Sequence, residues 1–173
     1  GVELKYGPDG GVYISDWHDT GECHHYKDPQ KSTGRIFKIT YGQPRQQAVD
    51  LSRMTNEELL GLQSHRNQWF VRHARRILHE RAAGAADDQQ VARFKSRFSK
   101  ATSEVARLQE LWLLHLHGGV GNDGYGLDDE YEHVRAWAVR LELEDRQADE
   151  EVLLKLQTMS REDPSPIVRL ALA

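Results

Sequence analysis

Apolar and polar residues alternate along the first 42 positions of the chain. Alternation over residues 2–6, turn-forming residues over 7–11 and β-branched or aromatic residues over 12–14 predict a β-hairpin, because successive strand side chains point to opposite faces. A third strand is predicted over 35–41, after a long loop from 17 to 34. Three short strands form a marginal sheet, so we expect another element to cover or complete it.

Beyond Pro44 the hydrophobic period becomes helical. Thr55 and Glu58 have the spacing of a capping box at the start of a short helix. Apolar residues at intervals of three and four then predict helices over 69–78, over 88–116 as one long helix or two with a bend, over 129–143, over 149–159, and from Pro164 onwards.

Three of the predicted helices share a Val-Arg pair followed by alanine, and a leucine- or valine-containing helix precedes each. The shared segments are Val71-Arg72-His73-Ala74, Val134-Arg135-Ala136-Trp137-Ala138 and Val168-Arg169-Leu170-Ala171. Asn67, Asp129 and Asp163 lie four or five residues before the valines, where they can cap the helices. We therefore predict a mainly α fold, a HEAT-like array of helical hairpins over 43–173 with a small N-terminal antiparallel β-sheet over 1–42.

This repeat interpretation also predicts roles for individual side chains. Val71, Val134 and Trp137 are expected to be buried between hairpins. The repeated arginines are expected to bind carboxylates or helix ends of adjacent repeats, in preference to a ligand.

Composition and charge narrow the classes of function. The chain has 173 residues, 38% of them hydrophobic, and a net charge of −4. No segment approaches the ~20 apolar residues that span a bilayer. Residues 43–117 carry +4 and residues 118–173 carry −7, which we interpret as solvated helix faces. A nucleic-acid surface is disfavoured because the sequence pI of about 6.1 is far from basic.

The loop between the second and third predicted strands concentrates metal-binding residue types. Imidazole, thiolate and carboxylate groups are typical zinc ligands, and the candidates here are His18, Asp19, Cys23, His24 and His25. No paired-cysteine or paired-histidine spacing fixes a geometry, and Cys23 is the only cysteine, so no intrachain disulfide can form. The alternative is that these polar side chains order the loop through turns, without a metal.

Other motifs are weaker. Residues 119–124 match a GxGxxG string, but the apolar run before it is helical, so a flexible loop is the better interpretation than a dinucleotide site. His115 and His117 are two residues apart on a predicted helix and face different ways, which favours capping or core roles. The serines lack a nucleophile elbow, and His24 or His25 could activate Cys23 only if the backbone folded them together, so a nucleophilic enzyme is disfavoured.

Taken together, residues 6–19, 21–24 and 34–39, with the segments around Trp112, Val134 and Val168, resemble a family of large bacterial membrane-bound dehydrogenases. In that family a β-propeller similar to quinoprotein sugar dehydrogenases precedes HEAT repeats and often a c-type haem domain. The resemblance implies that this chain is a fragment joining the last propeller blade to the repeats. It also implies export to the periplasm, with quinone or calcium bound only by a larger parent protein.

Two functions of different classes follow from these observations. The first is a non-catalytic scaffold at a propeller-to-HEAT junction that contacts neighbouring domains or another protein. The second is part of a metal- or quinone-dependent dehydrogenase site, with the loop 16–25 supplying ligands to a divalent metal. Nucleic-acid binding by the basic helices ranks last.

Overall fold

The computed structural model describes residues 3–16, 32–43, 48–82, 88–120 and 124–173. It is mainly helical with a small three-stranded antiparallel sheet, which confirms the predicted fold class. The chain divides into two compact units, Gly1–Ile77 and Leu78–Ala173. The change from strand to helix periodicity at residue 42 lies inside the first of them.

The sheet of the first unit contains β1 (Glu3–Tyr6), β2 (Val12–Ser15) and β3 (Ile36–Ile39), in that order. Register pairs Leu4 with Ile14 and Ile14 with Phe37, so apolar side chains of all three strands share one face. Much of that apolar surface is exposed, including 46% of Phe37 and 57% of Ile39. The described residues therefore do not fully cover this sheet.

Two α-helices, with short 3-10 helices at Leu51–Arg53 and Leu62–Ser64, complete the first unit's regular structure. α1 (Asn56–Gly61) begins at Thr55 with the predicted capping box, in which Thr55 Oγ1 accepts from Glu58 N and the Glu58 carboxylate accepts from Thr55 N. α2 (Gln68–Ala82) follows, and it continues into the second unit. Asn67 precedes α2 and donates from Nδ2 to the carbonyls of Gly7 and Pro8, at 3.0 and 3.2 Å, so the turn between β1 and β2 is held to the start of α2.

The second unit contains five further helices within its described residues. They are α3 (Asp88–Lys100), α4 (Glu104–Leu116), α5 (Glu132–Glu142), α6 (Glu150–Glu162) and α7 (Pro166–Ala171). Of the two predictions for 88–116, two helices with a break is the correct one. The chain becomes helical again after the break because the Ser103 side chain caps α4, accepting a hydrogen bond from Ala106 N.

The core of the second unit lies among α3, α4, α5 and α7, with α4 against α5 and α5 against α7. Val134 is fully buried, as predicted, whereas Trp137 is only half-buried and meets Trp112 edge to face. Gly126 permits a close approach here: its φ is +89°, and a Cβ would lie 3.2 Å from that of Ala138.

None of the helices in the described ranges combines the length and apolarity needed to cross a bilayer.

Candidate functional site

A chain of arginines and aspartates runs along one end of α4, α5 and α7. We call Arg107, Asp129, Arg135, Asp163 and Arg169 the Arg–Asp ladder. Arg107 Nη1 donates to Asp129 Oδ2 at 2.7 Å. Arg135 binds Asp163 with both arms of its guanidinium, from Nε to Oδ2 at 2.8 Å and from Nη2 to Oδ1 at 2.9 Å. Each pair joins segments 22 or 28 residues apart in sequence, so the ladder links α4 to the start of α5 and α5 to the start of α7.

The same local geometry recurs at each aspartate of the ladder. Asp129 Oδ1 accepts from the backbone N–H two residues ahead at 2.9 Å, and Asp163 Oδ1 does so at 2.8 Å. The main-chain carbonyl of Asp129 accepts from Arg135 Nη1 at 2.8 Å, and that of Asp163 accepts from Arg169 Nη1. Each aspartate therefore binds the preceding arginine through its carboxylate and the following arginine, six residues on, through its carbonyl.

A third segment shows half of this geometry. Arg107 Nε donates to the carbonyl of Ala101, six residues earlier, at 3.2 Å. Alanine has no carboxylate, so this position cannot accept an arginine from a preceding helix. In each of the segments 101–107, 129–135 and 163–169 an arginine donates to the carbonyl six residues earlier, and the last two segments also carry the acidic side chain.

Burial makes these ion pairs stronger than ordinary surface pairs. The Asp129 and Asp163 side chains are 2% and 5% exposed, and those of Arg107 and Arg135 are 20% and 13% exposed. The hydrogen bonds from Arg135 hold the pKa of Asp163 below its usual range, and Asp163 in turn raises the pKa of Arg135. Arg135 and Asp163 therefore favour their charged forms, and each of the four ladder groups has its partner in place.

A shallow cleft of about 490 Å³ opens over the same turns. Three acidic side chains line it, and all of them have partners: Glu104 pairs with His133, Glu130 pairs with Arg107, and Glu132 accepts from the Ser165 hydroxyl. The remaining lining is largely tyrosine and proline, with Tyr131, Pro164 and Pro166. This surface could contact another molecule through its tyrosine and proline side chains. Its carboxylates already take part in hydrogen bonds and ion pairs that stabilise the turns.

The last two helices expose large apolar side chains. Leu153 and Leu154 of α6 are 50% and 59% exposed, and Leu170 of α7 is 74% exposed. Beside Leu170, Arg169 is also exposed, and no carboxylate in the described ranges forms an ion pair with it. The ladder therefore ends, within these ranges, on an arginine whose guanidinium forms no ion pair with a carboxylate, although its charge contributes to lowering the pKa of Asp163.

The first unit has a cleft of its own, about 710 Å³ in volume. Trp69 and His73 stack in its wall with ring centroids 4.0 Å apart, and the Arg72 guanidinium lies 4.9 Å from the centre of the Tyr6 ring. Arg72 was expected to bind a carboxylate or a helix end like the other repeated arginines; it lies instead over an aromatic ring. This cleft offers aromatic faces and two cationic side chains, Lys5 and Arg72.

The predicted metal ligands fall outside the residues that the structure describes. His18, Asp19, Cys23, His24 and His25 all belong to the interval 17–31, so the metal hypothesis stays a prediction. Among the described residues, no three histidine, cysteine or acidic side chains are grouped to hold a metal ion. Part of the GxGxxG string, residues 121–123, also lies outside the described ranges, and α4 precedes the string as expected.

Of the two histidines near the end of α4, His117 has the capping and core role that was predicted, whereas His115 pairs with a carboxylate. His117 is the C-cap residue of α4, is 9% exposed, and stacks on Phe94 with centroids 4.6 Å apart. Burial, with a smaller contribution from His79, lowers the pKa of His117. His115 points elsewhere and lies within hydrogen-bond distance of the Glu144 carboxylate.

Sequence reasoning found Arg135, Arg169, Asp129 and Asp163 but missed Arg107. Arg107 is not preceded by valine, and Ala101 replaces the aspartate, so neither half of the repeated pattern marks it. The signal that could have revealed it is the serine cap at 103, which occupies the same place before Arg107 as Ser165 does before Arg169.

Comparison of the chain with protein-family models, with curated proteins and with solved structures finds no match to any of the three.

Proposed function

We propose that this chain is a non-catalytic scaffold whose helical hairpins bind a protein partner. The observation that carries the proposal is the Arg–Asp ladder together with the exposed leucines of α6 and α7. The ladder fixes α4, α5 and α7 through buried, charge-assisted hydrogen bonds. A surface held rigid in this way loses little conformational entropy on binding, which favours association.

The apolar side chains supply the driving force for such binding. Leu153, Leu154 and Leu170 are each at least half exposed, and burying a leucine contributes about 1.5–3 kcal/mol. Exposed single leucines are common on protein surfaces, but here three lie on two consecutive helices, and these three form the proposed contact surface. We therefore place the contact on α6 and α7.

The larger context is part of the same proposal. The resemblance in residues 6–39 and in the Val-Arg segments supports placing this scaffold at the junction between a propeller and HEAT-like repeats in a dehydrogenase-like protein. On that basis its partner is a neighbouring domain of the same protein or a second protein, and the parent protein works in the periplasm. The loop 16–25 would contribute metal ligands only under the alternative function.

The test is affinity capture of partners from cells that make the protein, followed by titration of each captured protein against purified variants. A triple variant, Leu153→Ser/Leu154→Ser/Leu170→Ser, should weaken binding at least tenfold, because three apolar contacts are lost. Val105→Ser is the matched control, since Val105 is also exposed, at 63%, but lies on α4.

The control variant should bind as the unaltered chain does. Saturable binding that the triple variant retains in full would place the contact elsewhere. If no captured protein binds saturably, the scaffold proposal is wrong.

A further inference from the structure

The outer edge of β1 borders the larger cleft of the first unit, whose volume is about 710 Å³. In the strand order β1-β2-β3, β2 pairs with only one edge of β1. Side chains from both faces of this strand line the cleft, Leu4 and Tyr6 from one face and Lys5 from the other. The cleft therefore follows the edge of the sheet, and Trp69 and Arg72 of α2 complete its lining.

The hydrogen-bond register shows which backbone groups face this cleft. Gly7 N–H donates to the carbonyl of Gly11 at 2.9 Å. Because antiparallel pairs alternate between bonded and non-bonded positions, Lys5 is bonded to β2 and the residues on either side of it are not. The N–H and C=O groups of Leu4 and Tyr6 therefore point away from β2, and no other strand pairs with them among the described residues.

The spacing of these outward groups suits a polypeptide. Alternate residues of a strand lie about 6.6–6.8 Å apart, which is the repeat at which another strand forms its hydrogen bonds. Asn67 closes one end of the edge, because its Nδ2 donates to the carbonyls of Gly7 and Pro8. The open edge is therefore short, and side-chain contacts must contribute to the affinity and selectivity of whatever pairs with it.

The charged side chains at the cleft favour an acidic segment. Its lining of described residues includes Lys5 and Arg72 but no aspartate or glutamate. Lys5 Nζ lies 2.9 Å from Glu3 Oε1, but both side chains are more than half exposed, so this pair is weak. The Arg72 guanidinium lies over the ring of Tyr6, a contact that leaves its fork of N–H donors for a carboxylate.

We propose that the first unit binds an extended acidic peptide segment of a partner protein, which adds as a strand to the outer edge of β1. Its main chain would exchange hydrogen bonds with Leu4 and Tyr6, and a carboxylate of the segment would accept from Arg72. Trp69 would contact the flanking side chains. Main-chain bonds supply affinity in this mode of recognition, and the arginine supplies the selection for negative charge.

A second copy of this chain is a poorer occupant. It would contribute another four-residue strand, Glu3–Tyr6, and the glutamate of that strand already pairs with Lys5. Two such short strands would bury far less than the roughly 1,200 Å² that specific stable interfaces bury. A peptide that binds weakly and reversibly needs no such area.

The experiment uses the full chain and a synthetic probe. The probe is a capped octapeptide of alternating valine and threonine with one central glutamate, titrated into protein labelled with nitrogen-15. We expect saturable binding and at least tenfold slower amide exchange at Leu4 and Tyr6, because their N–H groups gain acceptors. Lys5 N–H is already bonded to β2, so its exchange should change far less and serves as the internal reference.

A double-mutant cycle tests the role of the carboxylate. Replacing the glutamate of the probe by glutamine, or Arg72→Gln in the protein, should each weaken binding about fivefold, and the two changes together should cost little more than either alone. Arg81→Gln is the matched control, because Arg81 is an exposed arginine on the same helix but does not line the cleft. A probe that is N-methylated at alternate residues on its pairing edge should not bind, since it cannot donate to β1.

Four results would overturn the proposal. The first is absence of saturable binding up to about 5 mM probe. The second is binding that leaves exchange at Leu4 and Tyr6 unchanged, and the third is equal affinity for the glutamate and glutamine probes. The fourth is protection of the same amides that rises with protein concentration without any peptide, which would identify a second copy as the occupant.

This surface is distinct from the leucines of α6 and α7 that carry the proposed scaffold function. The variant Leu153→Ser/Leu154→Ser/Leu170→Ser should bind the octapeptide as the unaltered chain does, because none of these leucines lines the cleft. Failure of the peptide to bind would therefore leave the test of the scaffold function intact, and the reverse also holds.

Discussion

Asp163 is the residue on which the ladder depends most. Its carboxylate accepts three hydrogen bonds, two from Arg135 and one from the backbone N–H of Ser165, and its carbonyl accepts a fourth from Arg169. With a side chain 5% exposed, little solvent competes for these bonds. Removing its charge leaves a largely buried guanidinium without a counterion.

We therefore predict that Asp163→Asn lowers the free energy of unfolding by about 2–4 kcal/mol at pH 7. Thermal or urea unfolding monitored by circular dichroism would measure the change. Asp149→Asn is the control, because Asp149 is exposed at the start of α6 and makes no side-chain capping bond; its effect should stay below about 1 kcal/mol.

The same residue predicts a pH dependence. Arg135 lowers the pKa of Asp163 in the folded protein below the value of about 3.9 in an unfolded chain. The unfolded state therefore takes up a proton more readily, so the stabilisation by Asp163 is complete above pH ~4 and is lost as pH falls through the lower folded value. The stability gap between the unaltered protein and Asp163→Asn should narrow over that acidic range. A gap that stays constant down to pH 2 would contradict the lowered pKa.

At the scale of the element, α5 is the helix whose burial the repeat pattern predicted most directly. Val134 is fully buried, and α5, which carries it, packs against both α4 and α7. We expect Val134→Asp to destabilise the protein by about 3–5 kcal/mol, because a carboxylate there has no counterion and no water.

Val105→Asp is the matched control for this prediction. Val105 is 63% exposed in the first turn of α4, where an acidic residue is favoured by the helix dipole. Its melting temperature should change by no more than a degree or two. Equal losses in both variants would mean that burial at position 134 does not set the cost.

Periodicity predicted most of these helices because it reports burial directly, and α1 even begins with the capping box that Thr55 and Glu58 predict. Periodicity could not choose between one helix and two over 88–116, since apolar spacing continues across the break. Two helices form because the Ser103 hydroxyl accepts a hydrogen bond from the backbone N–H of Ala106, which starts a new helix at this point.

The side-chain partners were harder to predict than the elements. Val71-Arg72 and Val134-Arg135 have the same local sequence. Arg72 nevertheless lies over the ring of Tyr6, whereas Arg135 binds Asp163. The local sequence determines an arginine's position on its helix, but the tertiary fold determines which distant residue its side chain contacts. The ion pairs of the ladder join residues 22 and 28 positions apart, and no pattern in a single sequence predicts contacts at such separations.

At the scale of the whole molecule, metal binding by the segment 16–25 would distinguish the two proposed functions, because only the alternative function uses this segment as a source of ligands. If His18, Asp19, Cys23, His24 and His25 include ligands, purified protein should retain about one zinc or related ion per chain after desalting, measured by elemental analysis. Bound metal should be lost as pH falls through the imidazole range near 6.5, because protons compete for the ligand nitrogens.

Variants make that prediction specific. Cys23→Ser/His24→Ala should abolish metal retention, and metal should protect Cys23 from alkylation in the unaltered protein. His133→Ala serves as the control, because His133 pairs with Glu104 in the second unit. Metal-free protein with a rapidly alkylated Cys23 would count against the enzyme-part function.

The constant spacing within the ladder has a consequence for insertions and deletions. Six residues separate Asp129 from Arg135 and Asp163 from Arg169, and both bonds to the carbonyl depend on that count. The intervals between the starts of the segments 101–107, 129–135 and 163–169 differ, 28 residues in one case and 34 in the other. Each aspartate nevertheless accepts from the backbone N–H two residues ahead and from an arginine of a preceding helix. A peptide tag or reporter inserted near residues 144–148 should therefore be tolerated, whereas one added residue between 163 and 169 should not.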